Sequence, residues 1–225
     1  MIHFVGAVDS TQRLAREAAI GGAPHGTAVV ASAQLAGRGR LGRSWQSEPG
    51  QNLLLSVVLR PEVPIAEAPL LSLGAAAGLA IAFDLRVKWP NDLMSADGRK
   101  VGGLLAELDV RGDRVGFVVL GLGLNVNQLD FPGLAATSLR ALQGGGESIA
   151  IQGVAETART AILAWCTHPA RLDEWRRVSH TLGRRVRVGG REGIATAIRD
   201  DGALIVGGEA VLTGDVELVG RVEEG

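Results

Sequence analysis

The stretch of residues 69–83 carries no charged side chain, and leucine, alanine and glycine make up most of it. A helix of this composition has no polar face for water, so it must be covered on every side. Spanning a bilayer takes about 20 residues, and this stretch is shorter. We therefore predict a helix in the core of a globular protein, and a chain of 225 residues is long enough to bury one.

Further elements are predicted from hydrophobic periodicity and from helix and turn signals. Ser10 is a candidate N-cap for a surface helix over residues 11–20. Apolar runs rich in β-branched residues indicate strands, and a turn at residues 111–114 joins two of them as a hairpin. The predicted strands are 27–33, 52–59, 85–89, 101–110 and 115–126, and further helices are predicted at 151–166 and 169–179.

The pattern changes beyond Gly183 to short apolar runs separated by turns, such as Asp200-Asp201-Gly202. A series of short strands with frequent turn residues is typical of a small β barrel. We therefore predict two domains, residues 1–182 and residues 183–225.

Bulk composition excludes several kinds of protein. A formal net charge of −1 argues against a surface that binds nucleic acid or anionic lipid over its whole extent. Cys166 is the single cysteine, so it cannot form an internal disulfide, and with the four histidines it gives no metal-ligand spacing. We expect it to be a buried apolar group. The N-terminus lacks the features of a signal peptide, which predicts a cytoplasmic protein.

Arginine supplies nearly all of the positive charge, because only Lys88 and Lys100 among the 23 basic residues are lysines. A lysine in such a chain suggests a site that needs a compact ammonium rather than a planar guanidinium. Lys88 begins the segment Lys88-Trp89-Pro90-Asn91-Asp92, whose proline favours extended backbone before it. Asn91 and Asp92 are therefore placed at a strand end, where enzymes often carry reacting groups. A turn-forming or helix-capping role for Asp92 is the alternative.

A second cluster is the arginine loop, Gly37-Arg38-Gly39-Arg40-Leu41-Gly42-Arg43, which lies between two predicted strands. Ordering each glycine costs about 0.5 to 1 kcal/mol relative to alanine, so we expect a ligand to order the loop. Charge-assisted hydrogen bonds contribute about 1.5 to 3 kcal/mol each, so two or three bonds to a polyphosphate exceed that cost. A solvated basic loop is the alternative.

The arginine loop also contains the glycine spacing of the dinucleotide-binding fingerprint, at residues 37, 39 and 42. That motif needs a helix beginning at its third glycine. Residues 44–50 instead end in Pro-Gly and show no helical period, so we do not expect a nicotinamide-dependent enzyme. Trp45, directly after the loop, is expected either to cover a flat ring or to lie in the core.

Four motifs in this order resemble those of the biotin protein ligases. They are the arginine loop with Trp45, Lys88-Trp-Pro-Asn-Asp92, Lys100-Val-Gly-Gly103-Leu-Leu and Gly121-Leu-Gly-Leu-Asn125-Val. The resemblance extends from Asp9-Ser10-Thr11 to the C-terminal region. It implies an α+β fold, in which helices back a mixed β-sheet and a small SH3-like β barrel follows.

The resemblance implies a reaction in two steps. Biotin attacks the α-phosphorus of ATP to give biotinyl-5′-adenylate and pyrophosphate, and a lysine of an acceptor protein then takes the acyl group. Lys100 would neutralise charge that develops in the first step, and Asp92 would orient or help deprotonate the acceptor amine. Arg40 completes the expected catalytic set.

The resemblance also implies which residues bind each substrate. Biotin would be bound by Ser10, Thr11, Gln34, Gly37, Arg38, Gly39, Arg40, Lys100 and Gly103. ATP or the adenylate would be bound by Arg38, Arg40, Arg43, Trp45, Lys88, Asn91 and Asn125.

The partners that the resemblance implies are ATP and biotin as substrates, Mg²⁺ with ATP, and a biotin carboxyl carrier protein domain as acceptor. The ligands of Mg²⁺ are left open. A homodimer is expected, as is the absence of membrane association. DNA binding is not expected, because members that act as repressors carry an N-terminal helix-turn-helix domain ahead of the catalytic one.

One departure from the family pattern concerns the end of the chain. Val219 stands where the family often has an arginine, which leaves Arg221 as a candidate substitute in ATP binding.

Two other functions, a lipoate ligase and an RNA-binding module, fit the sequence less well. A lipoate ligase shares the fold but lacks the arginine loop and the Lys88–Asp92 segment. An RNA-binding module would need interleaved aromatic residues, whereas this chain has no tyrosine.

Overall fold

The computed structural model describes residues 1–219, and strands dominate them. The strands are β1 (Ile2–Val8), β2 (Ala28–Gln34), β3 (Leu53–Leu59), β4 (Arg86–Lys88), β5 (Asp92–Met94), β6 (Lys100–Arg111), β7 (Arg114–Leu124), β8 (Arg185–Val188), β9 (Arg191–Ile198), β10 (Leu204–Val206), β11 (Glu209–Val211) and β12 (Glu217–Leu218). The α-helices are α1 (Thr11–Ile20), α2 (Ala68–Phe83), α3 (Leu139–Leu142), α4 (Ile151–Trp165) and α5 (Arg171–Arg177), and 3-10 turns lie at Arg40–Gly42 and Ile65–Glu67.

The larger sheet has seven strands in the order β1-β2-β3-β7-β6-β5-β4. Strands β1 and β2 run parallel, and the other neighbouring pairs run antiparallel, so the sheet is mixed, as predicted. The predicted hairpin is β6 and β7. Strands β1 and β5 and the short helix α3 were not predicted, and Asp92, expected after the end of a strand, begins β5. Strand β1 is an edge strand with most side chains in contact with solvent, so it shows no apolar alternation.

Helices cover both faces of this sheet. Alternate side chains of a strand point to opposite faces. Accordingly, Leu55 and Val57 of β3 belong to the main core with α2 and α4, whereas Val58 packs with Ala15 and Phe117 under α1. Strand β3 is therefore buried on both sides, which agrees with its unbroken apolar sequence.

The predicted core helix is α2, and it contacts α4, α5 and the strands beneath it. With the 3-10 turn before it, Ile65–Phe83 is the one helical segment among the described residues that is long and apolar enough to cross a membrane. The protein itself buries 61% of that segment's most apolar window, so the segment is the central helix of the core.

Two glycines of α2 let the end of α4 approach closely. A Cβ atom at Gly74 would lie 2.4 Å from the backbone oxygen of Trp165, and one at Gly78 would lie 2.6 Å from Cδ1 of the same residue. Both distances are too short for any side chain, so these positions accept only glycine in the present packing.

Replacing Gly74 by alanine is expected to lower the free energy of unfolding by about 1 to 3 kcal/mol, because a backbone carbonyl must move. Gly153→Ala in α4 is the matched control, since its Cβ would meet nothing within 4 Å. Alanine is the better helix former by about 0.5 to 1 kcal/mol, so the control should gain stability. Urea denaturation measures both, and a Gly74→Ala protein as stable as the wild type would contradict the packing.

The smaller sheet has the strand order β11-β10-β9-β8-β12. Strands β11 and β12 lie at opposite ends of it and do not pair within residues 1–219, so the predicted SH3-like barrel is not closed in this structure. The sheet packs on the larger one through Trp89, whose Nε1 donates to the Gly202 carbonyl at 3.1 Å. The predicted boundary after residue 182 stays a prediction, and Arg221 lies outside the described residues.

Candidate active site

A cavity of about 560 Å³ opens where the larger sheet meets the segment Asp215–Glu217 of the smaller one. The start of α1, the end of β2, the arginine loop and strands β3, β5, β6 and β7 form its walls. Most of the residues assigned to substrates from the sequence line it, namely Ser10, Thr11, Gln34, Arg38, Gly39, Arg40, Arg43, Trp45, Lys88, Asn91, Asp92, Lys100 and Gly103.

Two assigned residues, Asn125 and Gly37, lie outside the lining. Asn125 is buried, and its Nδ2 donates to the Thr137 carbonyl at 3.0 Å, so it holds the chain that follows β7. Gly37 allows two neighbouring groups to pack closely against the backbone. A Cβ there would lie 2.7 Å from the Trp45 carbonyl oxygen and 3.2 Å from Gln34 Nε2. The structure thus gives Asn125 a structural contact and shows Gly37 close to Trp45 and Gln34, and the assignment of both residues to substrates stays a prediction.

Polar side chains form one end of the cavity, which we call the polar floor: Thr11, Gln12, Gln34 and Ser56. Gln34 Oε1 accepts the backbone N–H of Thr11 at 2.7 Å and lies 3.0 Å from its hydroxyl. Ser56 lies 2.9 Å from the same hydroxyl and donates to Gln12 Oε1 at 2.8 Å. Thr11, Gln12 and Ser56 are buried, and a buried chain of hydrogen bonds holds its side chains in one arrangement.

Ser10 occupies the predicted N-cap position of α1, but its side chain makes no capping hydrogen bond. Its backbone N–H is bound by the Asp9 side chain at 2.8 Å. Ser10 is buried and lines the cavity, so its side chain is a candidate ligand contact that makes no capping hydrogen bond to the helix.

The two lysines of the chain meet at one carboxylate. Lys88 Nζ lies 3.0 Å from Asp92 Oδ2, and Lys100 Nζ lies 2.6 Å from Asp92 Oδ1. Strand register explains the meeting, because Lys88 is directly opposite Asp92 across β4 and β5, and Gly103 is opposite Asp92 across β5 and β6. Gly103 lies beside this pair, and a Cβ there would be in ordinary van der Waals contact, 3.5 Å from both Lys100 Nζ and Asp92 Oδ1.

The environment of Asp92 keeps it ionised. Burial by itself acts to raise the pKa of its carboxyl, but the charges of Lys100 and Lys88, with hydrogen bonds from both, outweigh burial and hold the pKa below its ordinary value. A carboxylate with a lowered pKa is a weak base, so Asp92 is better suited to hold a cation than to remove a proton.

Trp45 and Lys100 form a wall of the cavity together. Lys100 Nζ lies 5.6 Å from the centre of the Trp45 ring, within the range of a cation–π contact. The ring lies against the bare backbone of Gly123, where a Cβ would be 2.4 Å from Cε2. Trp45 therefore depends on a glycine in β7 for its position.

The arginine loop is folded as a tight turn over the cavity. Gly39 N–H donates to the Arg43 carbonyl at 2.6 Å, and Trp45 N–H donates to the Gly37 carbonyl at 2.9 Å. Two residues at its tip, Leu41 and Gly42, have positive φ angles. Without an α-helix after its third glycine, the loop has no dinucleotide-binding geometry, in agreement with the sequence.

Asp215, in the segment between β11 and β12, holds this loop in place through ion pairs. It forms ion pairs with Arg43 and with Arg40, whose Nε lies 3.8 Å from Oδ1. Arg40 also donates to the Gly214 carbonyl at 3.3 Å. Burial of the guanidinium, more than any neighbouring charge, lowers the pKa of Arg40, although an arginine remains charged. The larger sheet and the segment that leads into β12 of the smaller sheet therefore both contribute to the cavity wall.

Sequence reasoning assigned no site role to several residues at this cavity: Gln12, Ser56, Gly121, Gly123 and Asp215. Gly121 and Gly123 belong to the fourth motif, and glycines inside a strand pattern signal close approach by another group. Gln12 lies beside two assigned residues, but nothing in its spacing shows that it points into the sheet. No local signal marks Asp215, which reaches the loop from the other sheet.

The arrangement suits a ligand with a polar ring at one end and negative charge at the other. Apolar side chains, including Leu55, Leu104 and Leu122, line the same cavity as the polar floor. Three arginines and two lysines line it as well. Within residues 1–219, no group of three potential metal-binding side chains exists.

Comparison with known sequences gives a consistent result. The profile of the biotin/lipoate A/B protein ligase family matches residues 5–125. The chain is 36% identical to the bifunctional ligase/repressor BirA of Bacillus subtilis, over 94% of this chain and 72% of that protein. It is also 36% identical to the biotin--[acetyl-CoA-carboxylase] ligase of Mycobacterium tuberculosis, over 90% of this chain and 83% of that protein.

Comparison with solved structures agrees. The biotin protein ligase from Aquifex aeolicus, in complex with biotin and ATP, superposes with a TM-score of 0.77 at 26% identity. The superposition covers 97% of this chain and 98% of that one.

Proposed function

We propose, from the premise that this chain belongs to the biotin/lipoate A/B protein ligase family, that its cavity carries out both steps of protein biotinylation. The protein is an ATP-dependent biotin protein ligase, which activates biotin as biotinyl-5′-adenylate and transfers it to a protein lysine. The observation that carries the proposal is one cavity in which a polar floor, a Lys100–Asp92–Lys88 cluster and three arginines face the same space.

In the first step, the biotin carboxylate and the α-phosphate of ATP must approach each other although both are negative. Lys100 lines the same cavity as the polar floor and the arginine loop, so we propose that its ammonium contacts both groups at once. Fixed positive charge placed where negative charge develops is the largest single contribution in many enzymes. Arg38, Arg40 and Arg43 would bind the phosphates, and Arg40 and Arg43 would exchange Asp215 for them.

In the second step, an acceptor lysine attacks the acyl carbon and AMP leaves. An amine with an ordinary pKa of about 10.4 arrives mainly as the ammonium, which the ionised Asp92 attracts. Because the pKa of Asp92 is lowered, we assign it the role of orienting the amine, while water accepts the proton. Asn91 is held by a hydrogen bond to the Leu104 carbonyl at 2.5 Å and lines the nucleotide side with Lys88 and Trp45.

We propose that Mg²⁺ enters the cavity bound to ATP and is not held by a cluster of protein side chains. The described residues contain no cluster of carboxylates that would hold it, and Asp92 is already paired with two lysines. Phosphate oxygens and water are the usual ligands of Mg²⁺ that enters with a nucleotide.

Several expectations remain proposals. They are a biotin carboxyl carrier protein domain as acceptor, a homodimer, a cytoplasmic location, no DNA binding, and division into domains at residues 1–182 and 183–225.

Labelled pyrophosphate is expected to exchange into ATP when biotin is present, since formation of biotinyl-adenylate is reversible. Lipoate should support no exchange, because the polar floor offers hydrogen-bond partners that a dithiolane ring cannot use. Isotope exchange measures both. Equal exchange with lipoate would refute the biotin assignment, and tight salt-dependent binding of RNA without any exchange would favour a binding module.

A further inference from the structure

Gln12, in the first turn of α1, is 6% exposed and reaches across two strands of the sheet. Its Nε2 lies 3.3 Å from the carbonyl oxygens of both Leu105 in β6 and Val119 in β7. An amide nitrogen has two protons, so these contacts use both. The Nε2 contacts also fix the orientation of the amide, so its oxygen, Oε1, faces Ser56. An amide oxygen can only accept, and Oε1 accepts the hydroxyl proton of Ser56 at 2.8 Å.

This contact decides the direction of the remaining hydrogen bonds. Ser56 gives its only proton to Gln12, so its oxygen is an acceptor towards Thr11, at 2.9 Å. The Thr11 hydroxyl proton is thereby committed within the network, to Ser56 or to Gln34 Oε1. Thr11 can offer a ligand only an acceptor lone pair.

Gln34 takes the opposite role. Its Oε1 is occupied by the backbone N–H of Thr11 at 2.7 Å. Its Nε2, which lies beside Gly37, makes no hydrogen bond within residues 1–219. Gln34 lines the cavity, so this nitrogen is the donor that it presents to a ligand.

We infer that Gln12 is a positioning residue that sets the hydrogen-bonding polarity of the polar floor. Acting through Ser56, it makes Thr11 an acceptor, while the Thr11 backbone N–H makes Gln34 a donor, and this is the pair that an N–H and the neighbouring C=O of a cyclic urea require. The inference rests on the proposed function, because it assigns the ureido ring of biotin to this floor. The sheet is shaped for Gln12, since a Cβ at Gly121 would lie 2.8 Å from its Oε1.

Gln12→Glu keeps the size of the side chain and the acceptor that faces Ser56, and it tests whether the two donor contacts to the strands hold that acceptor in place. An ionised glutamate has no proton for the Leu105 and Val119 carbonyls, and burial raises the pKa of such a carboxyl. We expect the KM for biotin to rise about tenfold above about pH 8, with kcat and the KM for ATP unchanged. Below about pH 6 the protonated carboxyl donates again, so the KM should return towards the wild-type value.

Gln152→Glu is the matched control, because it introduces the same charge on the exposed face of α4 and should leave both constants unchanged at every pH. Ser56→Ala is the second variant, since it differs by one oxygen atom and removes the donor to Gln12 without adding charge. It should raise the KM for biotin about fivefold to tenfold at constant kcat, with no pH dependence.

Different results would overturn the role of Gln12 and the proposed ligase function. An unchanged KM for biotin in Ser56→Ala, or in a folded Gln12→Glu, overturns the inference, as does a lower melting temperature without a change in KM. If Gln12→Glu does not fold, Ser56→Ala decides. A wild-type protein without biotin-dependent pyrophosphate exchange would instead overturn the proposed function.

Discussion

Lys100→Met is expected to reduce the rate of biotinyl-adenylate formation by about 100-fold to 1,000-fold, the usual cost of removing one group that stabilises a transition-state oxyanion. Lys100 is the cation closest to Asp92, at 2.6 Å, and lies beside the Trp45 ring. Lys100→Arg should also lose at least about tenfold, which corresponds to about 1.4 kcal/mol, because a planar guanidinium is wider than the space beside Gly103.

The rate is best measured in a single turnover, with biotin and ATP both saturating. Arg99→Lys is the matched control, since Arg99 is the neighbouring cation but pairs only with the exposed Asp97. It should leave the rate unchanged. Full activity of Lys100→Arg would show that the preference for lysine at this position has another cause.

The Lys100→Met variant should also show a change in acid stability. Asp92 has a lowered pKa, so it stabilises the folded state above the pKa of an unfolded aspartate, and this contribution is lost as the pH falls through its folded value. Without Lys100 the pKa of Asp92 should rise, so less of the contribution is present at neutral pH. Denaturation at a series of acidic pH values measures the difference.

Gly123→Ala is expected to reduce adenylate formation by at least about tenfold and to lower the free energy of unfolding by about 1 to 3 kcal/mol. A Cβ at this position would lie 2.4 Å from Cε2 of Trp45, so the ring must leave the sheet. The ring would then no longer lie beside Lys100. Gly6→Ala in β1 is the matched control, because its Cβ would meet nothing within 4 Å.

A double-mutant cycle makes this prediction specific. Trp45→Ala removes the ring that Gly123→Ala would strike, so the second substitution should cost little stability once the first is present. Additive losses in unfolding free energy would show that Gly123 acts through another contact. Chemical denaturation of the two single variants and the double variant measures the coupling.

Local patterns predicted the elements that have a clear period. The uncharged run at residues 69–83 indicated the core helix that became α2, and the two runs around residue 112 became the β6–β7 hairpin. The core helix and the hairpin are each specified by residues that are close together in the sequence, so they can be predicted without the tertiary structure. The edge strand β1 was missed because exposure on both sides removes that period.

The lysine count and the arginine loop indicated most of the cavity for a similar reason. Residue types that are rare or costly in a given chain tend to mark places where chemistry needs them. The family comparison agrees with the biotin protein ligase that these motifs resemble. The closed C-terminal barrel that the resemblance implied is not present in residues 1–219.

The amino-acid sequence by itself thus determined the periodic elements and the cationic residues of the site, because each is marked by neighbouring residue types, whereas the mixed-sheet fold class followed from the family resemblance. Only the tertiary structure decided that Asp215 holds the arginine loop, that Gln12 reaches Ser56, and that Asn125 donates to the Thr137 carbonyl. These contacts join residues far apart in the chain. Strand order and register decide which of them meet, and no local pattern carries that information.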